Sequence, residues 1–141
     1  MSSAAAVKAA LVTQLGTLFP TAQVSYGAPL KVTSEDVVAV QGVRTAVEPD
    51  SLDMRGSVRE VIDLDVTFSV WRGRGTQQVV TERAYTMLEA LRVWLNDNPT
   101  LAGVAQHAAL SYEATMEEAM TDSGPVCEIA TSVRVFAVYT P

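Results

Sequence analysis

Cysteine and histidine are almost missing from this 141-residue chain, which holds one of each, Cys127 and His107. A lone cysteine excludes an intramolecular disulfide and any multi-cysteine metal site, and a lone histidine excludes zinc centres that need two. Basic residues are also scarce, ten against sixteen acids for a net charge of −6. A general nucleic-acid or membrane-surface binder is set aside, because both use a basic field. No apolar run approaches the ~18 residues of a membrane span. The Ala-rich start, MSSAAAVKAALVTQLGTLFP, carries a single base, Lys8, and its apolar run is broken by Thr13, Gln14 and Gly16. A secretory leader holds ~7–15 continuous apolar residues, so the expectation is a cytosolic chain with a reduced thiol. Cys127 then reads as a small core residue.

Apolar residues, at 48%, are what the chain has in quantity. That share and this length fit a single globular domain over 1–141 with a core of its own. Val7, Leu11, Leu15 and Leu18 make one helical stripe in 3–19, which Ser2 or Ser3 can cap and Pro20 ends. A short strand is predicted at 22–26 and a longer one at 36–47, with Gly42 marking a bulge or bend. Residues 48–59 carry charge, proline and glycine but no apolar period, and read as a long loop.

The strongest strand signal is 60–71, where Ile62, Leu64, Val66, Phe68 and Val70 alternate with Asp63, Asp65, Thr67 and Ser69. Thr76 caps a second predicted helix running to about Asn96, with Val80, Ala84, Met87, Leu88, Leu91, Trp94 and Leu95 as its stripe. Residues 106–120 and 126–139 alternate again around the turn Asp122-Ser123-Gly124-Pro125, which predicts an antiparallel hairpin. In 106–120 the apolar face is Ala108, Leu110, Tyr112, Ala114 and Met116. The fold class is therefore α+β, in the order α-β-β-β-α-β-β. It is one twisted, mostly antiparallel sheet of about five strands with two helices packed on one face. Strands this long exceed the usual ~5–6 residues, and two helices cannot cover them, which is a first hint of assembly.

No catalytic signature stands out, and the expectation is a chain that is not an enzyme and needs no cofactor or metal. His107 opens a strand on its polar side with no partner at ligand spacing. Asp63 and Asp65, with Glu113 and Glu117 across the sheet, offer a second possibility: an acidic face for a small ligand-binding module or enzyme. Gly73-Arg74-Gly75 joins a strand to a helix but matches neither phosphate-loop pattern. Arg72, Arg74, Arg83 and Arg92 are close enough in sequence to meet acids of a neighbouring subunit, and Trp94 reads as core. The candidate interface residues are Asp50, Asp53, Arg55 and Arg59 of the charged loop, with Trp71, Arg72 and Arg74 at the strand-to-helix turn.

The layout of these segments is itself informative. An amphipathic helix and strands lead to REVIDLDVTFSVWRGRGTQQ, which runs into VVTERAYTMLEALRVWLNDNPTLAG, and a hairpin ends in SVRVFAVYT. This resembles the tail-terminator and neck proteins of long-tailed bacteriophages over most of the chain, in layout and texture rather than in signature residues. The resemblance implies a virion subunit, assembled in the host cytoplasm, that forms a homo-oligomeric, hexameric ring. Such a ring caps the tail tube protein below, stops its polymerisation and meets the head connector or head-closure protein above. Genomic DNA would pass through the lumen without sequence-specific binding, and an acidic wall would repel its backbone. A head-closure or minor neck role fits the same layout.

Overall fold

Period-two burial builds the centre of the structure. In β3 (Val58–Trp71) the side chains of Val58, Glu60, Ile62, Leu64, Val66, Phe68 and Val70 are buried, and those between are half-buried or exposed. In β5 (Gly124–Tyr139) the buried set is Pro125, Cys127, Ile129, Thr131, Val133, Val135 and Ala137. Both rows face the same way, and each large apolar side chain so buried contributes roughly 1.5–3 kcal/mol.

This computed structural model describes residues 2–47 and 58–139. Around β3 and β5 lie α1 (Ala4–Leu18), β1 (Gln23–Tyr26), β2 (Asp36–Val47), α2 (Gln77–Asp97) and β4 (His107–Thr121). The five strands make one sheet in the spatial order β1-β2-β3-β5-β4. Only β1 and β2 run parallel; the other three pairs are antiparallel. The α+β class, the element order and the one-sided helix layer are as the sequence predicts.

Both helices cover the same face, α1 over β1 and β2, α2 over β3, β5 and β4. Val7, Leu11 and Leu15 anchor α1. The fourth contact comes from Phe19 rather than the expected Leu18, which is only half-buried. Phe19 leaves the helix and sets its ring edge-on to Phe68, with centroids 6.0 Å apart. Thr76 caps α2 as expected, its side chain accepting from the Val79 N–H. Trp94 is partly buried at the margin of the core, not inside it as its stripe position predicts. Leu101, in the turn after α2, is fully buried and has φ +48°.

Two irregularities shape the sheet. In β2, Gln41 and Gly42 together oppose Asp65, which is the bulge that Gly42 predicts. A Cβ at Gly42 would stand 2.6 Å from Asp65 Oδ2. In β4, Ser111 to Glu113 oppose the single residue Ser132. The two extra residues preserve parity, so Ala114 and Met116 stay on the helix side of the sheet. They are nevertheless exposed, contrary to expectation. The reason is position: β4 is the edge strand, and α2, although Thr81 reaches Glu118 at 3.2 Å, leaves the outer margin of that strand open.

Candidate functional surface

The sequence-predicted interface residues do not form one site. Asp50, Asp53 and Arg55, with the centre of the 48–59 loop, lie outside the described residues. Arg59 is exposed near the start of β3, and Trp71 ends the same strand. Twelve residues of strand separate them, ~40 Å at ~3.3 Å each.

The end of β3 is a knot of internal bonds. The Trp71 indole N–H donates to Ser123 O at 3.1 Å, which ties the strand end to the β4–β5 turn, and the ring stays 36% exposed. Arg72 Nη1 lies 2.6 Å from Asp36 Oδ1, and Arg83 Nε lies 3.0 Å from Asp36 Oδ2. Asp36 occupies the first inward position of β2 and is buried. Burial alone would raise its pKa, but the two guanidiniums hold the carboxyl below the usual carboxylate range. Arg72 and Arg83 are thus held inside the subunit, not presented to acids of a neighbour. Arg92 likewise pairs with Glu89 on its own helix at 2.6 Å. Arg74 is exposed, with no ion-pair partner among the described residues.

The acidic sheet face is corrected in the same way. Arg134 donates to both oxygens of Asp63, at 2.9 and 3.2 Å, and Arg44 to Asp65 at 2.7 Å. The aspartates form a strip of alternating charge across β2, β3 and β5 instead of a bare acidic pair. Glu113 and Glu117 are exposed. Among the described residues no three His, Cys, Asp or Glu side chains gather as a metal cage. His107 is exposed beside the Phe136 ring, with centroids 6.5 Å apart. Cys127 is buried, as expected, and burial pushes its thiol above the ordinary range. Among the described residues no helix is long and apolar enough to cross a membrane.

Glu60 was not singled out by sequence, yet it closes the start of α1. Its carboxylate is 2% exposed and accepts from Ser3 N–H at 2.6 Å and Ser2 Oγ at 2.9 Å. The expected serine cap is therefore shared: Ser2 Oγ accepts from the Ala4 N–H, and Ser3, at the cap position, uses its backbone and not its hydroxyl. A carboxylate there also complements the helix dipole. The signal was present, as a charged residue in an inward slot of a period-two strand. Asp36 carries the same signal.

What stays open is the sheet itself. Among the described residues, its helix-free face is covered where residues 27–35 cross from β1 to β2. Pro29 and Val32 of that crossover line a hollow of ≈ 200 Å³ together with Val37, Ala39, Thr67 and Trp71. At the opposite margin β4 is an edge strand, and every residue from Glu113 to Ser123 is exposed.

No protein-family model matches the chain, and no curated protein matches it. Among solved structures it is similar to a chain of the "Virion of native gene transfer agent (GTA) particle", with a TM-score of 0.47 and 12% identity over 91% of this chain and 92% of that one. A likeness at that level leaves the functional reading to the residues.

Proposed function

We infer that the chain is a structural protein of a phage-like virion and, within it, a tail terminator. The observation that carries this reading is the open sheet margin: β4 is an edge strand, paired on one side only, and exposed from Glu113 to its end at Thr121. Exposed edges of that size invite pairing with another chain. The layout resemblance supplies the identity of the assembly. In this reading six copies close into a ring, sit on the last ring of tail tube protein, and offer their other side to the head connector. The ring performs no turnover. Its net acidic charge favours passage of DNA over adhesion. The pairing of Asp63 and Asp65 with arginines weighs against a ligand site on the acidic face, since both carboxylates already have partners.

The reading is tested on particles assembled without this chain. Tail tubes of unregulated length are expected. Tubes of normal length detached from filled heads would fit a head-closure role instead, and complete, infectious particles would contradict both.

A further inference from the structure

Two surfaces at opposite margins of the sheet match each other. The first is the tip of the β1–β2 crossover. Leu30 is 107% exposed and Val32 63%, with Lys31 exposed between them. Docking would remove the apolar surface of this pair from water. Here it is held out on purpose-built backbone: Gln23 donates to Lys31 O at 2.9 Å and accepts from Thr33 N–H at 2.8 Å, while Ser34 Oγ donates to Thr21 O at 3.3 Å. A loop fixed this way loses little entropy on docking.

The second surface is the outer half of β4. Met116 and Met120 are 37% and 68% exposed on one face of the strand with Glu118 between them, and Glu117 and Asp122 are exposed nearby in sequence. The stretch from Ala114 to Thr121 holds no lysine or proline, the residues that most often blunt an edge. It is acidic and apolar where the crossover tip is basic and apolar. Methionine is suited to receiving a branched side chain, being flexible and polarizable.

We propose that the crossover tip of one copy docks on the β4 edge of the next copy, with Leu30 packed against Met120 and Lys31 facing Glu118 and the other hairpin carboxylates. The two patches lie at the β1 and β4 margins of one sheet, so the contact is head-to-tail. A head-to-tail contact closes into a ring when its rotation permits, and otherwise runs on as a filament. This rests on the ring reading above and adds which surfaces form it.

The test uses two single-cysteine additions in the full chain, Leu30→Cys and Met120→Cys. The buried Cys127 gives the unsubstituted chain as a non-reacting control. A short bis-maleimide is expected to link the two variants when they are mixed, and to give no linked dimer from either alone. Leu30→Asp is expected to raise the concentration needed for assembly at least tenfold with an unchanged circular dichroism spectrum. The absence of either result overturns the proposed contact. Rings that persist without the link would leave the ring reading standing on another surface. A monomer at every concentration, with no link, would remove both.

Discussion

Asp36 and Glu60 show what a single inward carboxylate does in a one-sided sheet. Each sits in a slot that its strand's alternation reserves for an apolar side chain, and each is kept there by donors from a distant segment. Replacing Asp36 by Asn should cost about 2–3 kcal/mol at neutral pH, in proportion to charge-assisted bonds lost. Because the folded pKa of Asp36 is depressed, its contribution is present above the unfolded carboxylate value and is lost as pH falls through the folded one. Urea denaturation from pH 7 to pH 2 should therefore find the gap between wild type and Asp36→Asn closing below about pH 4. A gap that stays constant would refute the pairing. Glu60→Ala should cost about 1–3 kcal/mol by leaving the α1 start without its acceptor, and amide exchange should quicken first in that turn. The two glycines of greatest consequence differ in kind. A Cβ at Gly124 would lie 2.1 Å from the Arg72 carbonyl oxygen at φ +124°, so Gly124→Ala should cost more than the ~1–3 kcal/mol of backbone strain alone. A Cβ at Gly42 meets only the end of the Asp65 side chain. Gly42→Ala should be the milder of the two in the same denaturation assay.

Elements were legible where burial is one-sided. Alternation from Ile62 to Val70 and from Cys127 to Ala137 is what a sheet with one covered face imposes on sequence, and the α2 stripe from Val80 to Leu95 is its helical counterpart. Leu64→Ala and Leu91→Ala, both fully buried in that layer, should each destabilise by about 2–5 kcal/mol in thermal or chemical unfolding. Leu30→Ala, on an exposed tip, should leave the isolated subunit's stability within about 0.5 kcal/mol. Two things escaped the pattern for physical reasons. Alternation gives the side a residue points to, not whether a neighbouring layer covers it, so Ala114 and Met116 read as buried although they lie on the edge strand, whose outer margin α2 leaves open. Ion pairs between Asp36 and Arg72, or Asp63 and Arg134, join residues 36 and 71 positions apart. Spacing along the chain carries no trace of such pairs, and Arg72 and Arg83 therefore read as available to a partner.

At the scale of the whole molecule, the charges that looked like a site are largely spent inside the subunit, while a margin of sheet and a rigid loop tip are left without cover. That balance supports the proposal of a building block completed by other chains over that of a pocket for something small. The mass and symmetry of the purified particle test this directly. Light scattering and electron microscopy of the full chain at rising concentration should show a closed ring of fixed copy number, six in the present account. A chain that stays monomeric at the highest concentration attainable, and whose melting temperature responds to a small ligand, would contradict it.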